Sequence, residues 1–220
     1  AGYDQLLEYW KNGGTKPSAS FSKKVLMQLA ENYKMEHLTI RRDVADAMFR
    51  QVQTNDTKKY KNHCLPGTIF ATEFDLGQNG YAYSDNDVAN YDGTKFTQWN
   101  KGGKMRNDGV DIESCTDKKT NGFSVSFIDD KEWLQFTADV KKGGSFDVEV
   151  RYSSEKPGGK LYLEADNARI LDAIELPITG GFTTWKTVTL KNVVLKEGIN
   201  KIRVHFEGGN FNLNFLEFKK

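Results

Sequence analysis

The residues best suited to chemistry in this sequence gather around glycines and turns. The stretch Thr179-Gly180-Gly181-Phe182-Thr183-Thr184-Trp185 sets an aromatic directly after two glycines. Paired glycines let a backbone bend sharply and approach a neighbour or ligand closely. Phe182 therefore reads as a loop aromatic, suited to packing its loop or to offering its ring as a stacking platform. Trp185 opens the alternating run Lys186-Thr187-Val188-Thr189-Leu190 and reads as a strand residue of the core. A second aromatic group lies between Tyr83 and Val110, where Tyr91, Phe96 and Trp99 are set among glycines, lysines, Asp85 and Asp87. A connection this long is more often functional than idle. Tyr91 and Trp99 beside polar residues suit carbohydrate recognition, and equally suit a loop pinned by its own side chains.

Asp111, Glu113, Asp129, Asp130 and Glu132 are the carboxylates from which a glycosidase pair could be drawn. None sits in a catalytic motif. His37, His63 and His205 are isolated, with no nucleophile–histidine–acid pattern around them. No catalytic residue and no metal ligand is assigned, and the chain itself is read as not an enzyme. The 2 cysteines, Cys64 and Cys115, are too few for a disulfide framework or a structural zinc site. One bridge and two free thiols both stay open.

The formal net charge of the 220 residues is +1, which gives no electrostatic footprint for nucleic acid. No apolar run is long enough to span a membrane. The chain begins Ala1-Gly2-Tyr3, with neither methionine nor a signal-peptide pattern, and reads as a processed protein or an excised fragment.

These residues need elements to position them, and the elements change in kind along the chain. Residues 1–52 carry helical periodicity. Asp4 to Trp10 reads as a short helix stopped by Asn12-Gly13-Gly14. Ser20 is placed to cap a second helix from about Phe21 to Met35, with Val25, Leu26, Leu29, Ala30 and Tyr33 as its stripe. A third is predicted from about Arg41 to Val52. Residues 53–64 are polar and aperiodic, a connector, and Leu65-Pro66-Gly67 punctuates the start of a second unit.

From Thr68 the period becomes two. Strands are predicted at Thr68–Thr72, Val110–Glu113, Phe123–Phe127, Trp133–Val140, Ser145–Tyr152, Lys160–Glu164, Ile170–Leu176, Lys186–Leu190, Lys201–Phe206 and Asn212–Phe218. Many short strands joined by turns predict a mainly β fold, a two-sheet antiparallel β-sandwich of jelly-roll type, preceded by a small α-helical segment. The division expected is a helical segment or spacer at 1–60 and a sandwich at 61–220.

The second unit resembles the family 6 carbohydrate-binding modules. The likeness rests on Leu65 to Gly77 as the opening strand, on Asp108-Gly109-Val110-Asp111-Ile112-Glu113, and on Asn121 to Val125 leading to Glu132-Trp133-Leu134-Gln135-Phe136. Thr179 to Trp185 and Gly209 to Phe218 complete it, so it runs from about 65 to 218 in the family's order. The resemblance implies a non-catalytic sandwich that holds an oligosaccharide in loops at one end, or at a second site on the concave sheet face. Carried over by position, the aromatic clamp is Phe123 and Phe182, and the asparagine that bonds sugar hydroxyls is Asn210 or Asn212. Pyranose C–H faces pack on aromatic rings, and a planar amide matches equatorial hydroxyls. The family more often has tyrosine or tryptophan at the clamp positions, so phenylalanine there is a departure.

The resemblance also implies a structural calcium, whose ligand positions align with Phe70, Thr72 and Asn214. Phe70 cannot ligate and the others are neutral, so this site is expected to be weak or absent unless Glu73 and Asp75 rescue it. The expected ligand is a β-linked glucan or xylan, and the expected company is an upstream glycoside hydrolase in the same chain. A secreted, periplasmic or cell-surface monomer is expected. The competing classes are a glycosidase working through paired carboxylates and a protein-interaction sandwich with a helical docking arm.

Overall fold

The structure is a computed structural model and describes residues 2–37, 54–86, 101–106 and 108–220. The predicted third helix and the loop residues Tyr91, Phe96 and Trp99 lie outside the described residues. The chain divides into two units, Ala1–Asp43 and Val44–Lys220.

The first unit carries α1 (Gly2–Asn12), α2 (Ala19–Asn32) and a 3-10 turn at Met35–His37. Helix α1 stops where Gly13 and Gly14 take φ of 73° and 99°, conformations that glycine adopts without a Cβ penalty. Helix α2 starts two residues before the predicted position. Ser18, with extended φ and ψ, accepts the Phe21 N–H at 3.2 Å and is the cap, so Ser20 lies within the first turn. No helix among the described residues is long and apolar enough to cross a membrane.

The second unit is a sandwich. Its strands are β1 (His63–Leu65), β2 (Gly67–Phe70), β3 (Tyr83–Ser84), β4 (Ile112–Ser114), β5 (Phe123–Val125) and β6 (Trp133–Val140). They continue as β7 (Gly144–Ser154), β8 (Lys160–Ala165), β9 (Ala168–Glu175), β10 (Gly181–Leu195), β11 (Gly198–Glu207) and β12 (Phe211–Lys219). One sheet runs β1-β6-β11-β8-β9 with β3 also on β6. The other runs β10-β7-β12-β5-β4 with β2 also on β12. The pairs are antiparallel except β1 with β6, which is parallel.

The alternation of each strand builds the core. On β6, Leu134, Phe136, Ala138 and Val140 are buried inward, and on β7 so are Phe146, Val148, Val150 and Tyr152. Several stretches depart from the predicted pattern, among them β10, which runs Gly181–Leu195 where Lys186–Leu190 was predicted and so takes in Phe182. The connector is not featureless: Lys58 bridges Leu76, and His63 and Cys64 belong to β1. The opening strand ends at Phe70, because Ala71–Glu73 turns into a 3-10 helix. Strand β5 ends at Val125, because Phe127 takes φ of 51°. Cys64 and Cys115 are free thiols.

The outer face of the first sheet carries a row of rings. His205 is in register with Trp133 on one side and Tyr162 on the other. The Tyr162 and His205 rings stack at 4.5 Å and 1°, and Trp133 lies 6.0 Å from His205. The Arg169 guanidinium lies 4.1 Å from the Tyr162 ring and that of Arg203 lies 4.5 Å from the Trp133 ring. These rings pack on one another and on two cations, and all three stay partly exposed. Burial pushes the His205 imidazole below its ordinary value, against the pull of Glu164 at 2.9 Å. Burial also lowers His63.

Both native imidazoles thus bind protons less readily than unfolded ones. Their contribution to stability is complete above the unfolded value of about 6.5 and falls as pH drops below it. Glu132, pushed up by burial, works in the opposite sense from the ordinary carboxylate value upward. The histidine contribution is isolated by comparison with His205→Phe, which keeps a ring in the row. Urea midpoints measured at pH 7.5 and 5.5 should fall more in the parent chain than in His205→Phe. An equal fall in both contradicts the assignment.

Candidate functional site

The Thr179–Phe182 turn is built by hydrogen bonds to the end of β7. Thr179 Oγ1 accepts from Ser154 N at 2.8 Å and donates to Ser154 O at 3.0 Å. Gly180 and Gly181 follow at φ of 104° and 143°. The β10–β7 register then shifts: Gly181 pairs Ser154, but the next pair is Trp185 with Ser153. The intervening residues leave the ladder, so Phe182 is thrown outward and is 39% exposed. Its carbonyl is held by Ser153, a fully buried residue whose Oγ donates to it at 2.7 Å.

Phe182 forms one wall of a cleft of about 330 Å³ over the outer face of the second sheet. The cleft lies toward the end where β10 and β12 start and β7 and β5 finish. Period-two alternation selects its floor. Val125 and Leu213 are core residues, so their neighbours Ser124 and Asn212 face the cleft, and Glu113, the ladder partner of Ser124, joins them. The Asn212 carboxamide and the Glu113 carboxylate make no hydrogen bond with another described residue. Trp185 lines the same cleft with its buried Nε1 unpartnered. These groups offer an aromatic wall, a planar amide and a carboxylate acceptor to one ligand.

Gly102 and Lys104 close the other side. A Cβ at Gly102 would lie 1.8 Å from the Ile112 carbonyl oxygen, so only glycine allows this approach to β4. The segment is latched by Arg106. Its Nε donates to Asp108 at 2.9 Å, its Nη2 to the Asp75 carbonyl at 3.1 Å and its Nη1 to the Phe74 carbonyl, with the guanidinium 3.4 Å from the Phe74 ring.

The structure brings Phe182 and Asn212 together and leaves two other expected residues out. Asn210 has φ of 62° and its Nδ2 bonds the Gly208 carbonyl at 3.3 Å, outside the cleft lining. Phe123 is half-buried against the core, on the same side of β5 as Val125, and is not among the residues that line the cleft with Phe182. Tyr91 and Trp99 lie outside the described residues. The aromatic that the sequence reading missed is Phe127, 47% exposed and just past the end of β5, at the same end of the sheet as Phe182. The Lys101 ammonium lies 5.9 Å from its ring. The available signal was Ile128: two adjacent apolar residues cannot both face the core of a regular strand, and Ile128 is the buried one. Trp185, expected in the core, also belongs to the cleft.

Of the carboxylates considered for catalysis, only Glu113 lines the cleft. Glu132 accepts the Asn86 and Asp129 N–H groups, Asp130 accepts that of Gly208, and Asp111 accepts that of Lys101. These organise turns.

The residues at the implied calcium positions do not fit the ion. Calcium takes six to eight oxygens, strengthened by carboxylates. Phe70 packs its ring on Phe215 at 6.0 Å, and Thr72 Oγ1 accepts from Asn121 at 3.0 Å. Asn214 is fully buried and leaves only its Oδ1 unpartnered. Nor do the neighbours rescue the site. Asp75 is occupied by Thr137 and Gln135, and Glu73 is held through its Oε1 by Lys61 at 2.8 Å, so that its Oε2 is the one carboxylate oxygen of the pair left without a hydrogen bond.

The clotting factor G alpha subunit of Tachypleus tridentatus is 33% identical over 113 residues, which make up 50% of this chain and 16% of that protein. The chain thus spans a small part of that relative. A β-1,3-glucan-binding family 6 module from Bacillus halodurans matches with a TM-score of 0.52 at 20% identity, over 73% of this chain and 100% of the other. A family 6 module from Clostridium stercorarium, solved in complex with cellobiose, matches at 0.50 and 16%, over 73% and 98%. These two likenesses show the sandwich fold. The model of carbohydrate binding module family 6 matches residues 104–220, which is more than half of the sequence, and the chain belongs to that family.

Proposed function

We propose that the Phe182 cleft binds a β-linked glucan without catalysing its cleavage, and that the chain serves to hold an attached glycoside hydrolase on that polysaccharide outside the cell. Residues 61–220 are the binding module in this reading, and residues 1–60 are a spacer or the tail of a preceding hydrolase. The observation that carries it is the convergence of an exposed aromatic, Phe182, with the Asn212 amide, which has no partner among the described residues. A pyranose ring packs its C–H face on Phe182 and loses water in doing so, while its hydroxyls meet Asn212, Glu113 and Ser124. Phe127, at the same end of the sheet, supplies a second apolar surface.

The glucan class is supported by the neighbours, a β-1,3-glucan binder and a module solved with cellobiose. Xylan is the second class the test includes. A glycosidase reading lacks its partner carboxylate, because Glu113 stands alone in the cleft among those considered. A shallow open cleft gives modest affinity, since little area is buried and mobile sugars are ordered. Tethering converts that modest affinity into a high local concentration of the attached enzyme on its substrate.

Titration calorimetry against laminari-, cello-, mixed-linkage gluco- and xylo-oligosaccharides tests the reading. One β-linked series should bind, with Phe182→Ala and Asn212→Ala each weakening it about tenfold, or ~1.4 kcal/mol. Phe123→Leu should leave affinity within about twofold, because a residue packed inward meets no ligand. Absence of binding in every series, or full binding by Phe182→Ala, overturns the assignment.

Gly102→Ala should also lower affinity, because the added Cβ drives the Gly102–Lys104 segment off β4. Its thermal midpoint should stay within about 4 °C of the parent, on the order of a 1 kcal/mol change in a chain this size. A crystal structure of the variant with the segment in place would contradict the role given to this glycine.

A further inference from the structure

The positions that fail to fit calcium show what holds the sandwich together there. We propose that the loop between β4 and β5 is closed by an internal chain of polar side chains, Asn214–Asp117–Arg151, standing in place of a structural metal ion, so that the fold is indifferent to calcium.

The chain can be followed link by link. Asn214 is fully buried in β12, and its Nδ2 donates to Asp117 Oδ2 at 2.9 Å and to the Lys119 carbonyl at 2.8 Å. Both of these partners lie in the loop. Asp117 receives Arg151 in a two-pronged grip, Nε to Oδ2 at 2.7 Å and Nη2 to Oδ1 at 2.8 Å. Arg151 belongs to β7, and its Nη1 reaches Thr187 Oγ1 on β10 at 3.2 Å. The loop is thereby tied across β12 and β7 to β10. Charge-assisted, bidentate hydrogen bonds are the strong ones, and a guanidinium is charged at every working pH.

The surroundings repeat the substitution of cation for metal. Lys119 pairs with Glu217 at 2.9 Å, donates to Thr68 Oγ1 at 3.1 Å and lies 4.7 Å from the Phe215 ring. That ring packs on Phe70, one of the implied ligand positions. Asn121 fastens the far end of the same loop to Thr72, another of them, at 3.0 Å. A divalent ion brought here would share the neighbourhood with an ammonium and a guanidinium, and of the implied ligand residues and their neighbours only Asn214 Oδ1 and Glu73 Oε2 are unpartnered oxygens, too few for an ion that takes six to eight. The loop also carries Thr116, a residue of the cleft lining.

Calorimetric melting of the full chain, as purified, in EDTA and in millimolar calcium, tests the proposal. The midpoint should agree within about 1 °C in the three conditions. A calcium-dependent rise of about 5 °C or more, reversed by EDTA, overturns it, since a ligand bound only by the folded state must raise the midpoint. Arg151→Met should lower the midpoint by roughly 5 °C, with no recovery on adding calcium. The pair Asp117→Asn and Arg151→Met should fall by less together than the sum of the two singles, because either one breaks the link. Strictly additive losses, or an unchanged Arg151→Met, overturn it. Should Arg151→Met not fold, Arg151→Lys keeps the charge without the fork and should melt below the parent; a parent-like midpoint overturns the proposal. None of these measurements involves a sugar, so their outcome is separate from that of the calorimetric titrations.

Discussion

The second sheet depends on one irregularity in its central strand. Strand β12 pairs β7 on one edge and β2 and β5 on the other, and its register against β7 shifts between Leu213 and Phe215. Before the shift, Phe211 and Leu213 are core residues; after it, Leu216 and Phe218 are. A regular strand cannot put Leu213 and Leu216 on the same face, because alternation has a period of two. The extra residue reconciles them and leaves Asn214 beside Phe215 on the outer side. Both ends of the strand then meet the core, while the outer face carries Asn212 in the cleft and Asn214 under the β4–β5 loop.

Around that strand, buried polar groups fix the parts of the cleft that are not regular structure. Ser153 is fully buried, and its hydroxyl holds the Phe182 carbonyl. Thr179 ties the preceding turn to Ser154, and Arg106 ties the Gly102 segment to the Phe74 and Asp75 carbonyls. Each such bond is worth only about 0.5–1.5 kcal/mol net, but a buried partner left unpaired costs about 1–3 kcal/mol. The asymmetry makes these contacts directional. They add little to total stability, yet any other loop conformation strands a buried donor or acceptor. An aromatic wall held this way loses little freedom when a ligand arrives, and preorganisation of that kind lowers the cost of binding.

Much of the sandwich was legible because its signal is local. Alternation over Trp133–Val140 or Ser145–Tyr152 reports which side chains are inward without knowledge of the partner strand. The cleft was less legible because its membership depends on parity, and parity changes wherever one residue leaves extended geometry. Phe123 and Phe127 are four apart, so an unbroken strand would point both inward with Val125. The positive φ at Phe127 turns it out and gives the inward place to Ile128. Trp185 was read as core because it opens a strand, yet the ladder is unbroken from Trp185 to Leu190, and a residue of opposite parity to Val188 and Leu190 faces the cleft. The cap at Ser18 rather than Ser20 was ambiguous for a simpler reason, since both residues have a hydroxyl and only the backbone angles decide between them.

Two asparagines of β12, two positions apart, show how burial sorts one chemistry into two uses. Asn214 is sealed from solvent, so its amide nitrogen finds its partners inside the chain, at Asp117 and the Lys119 carbonyl, while its Oδ1 goes without one. An unpaired NH2 group there would add a further desolvation cost. Asn212 sits at the cleft floor, where solvent reaches it, and it goes without a partner among the described residues. Water satisfies such a group in the free protein at little cost, and a hydroxyl-bearing ligand replaces that water with comparable bonds. The enclosed amide is therefore committed to the fold and the open one is left to the ligand, although the sequence Asn212-Leu213-Asn214 presents the two alike.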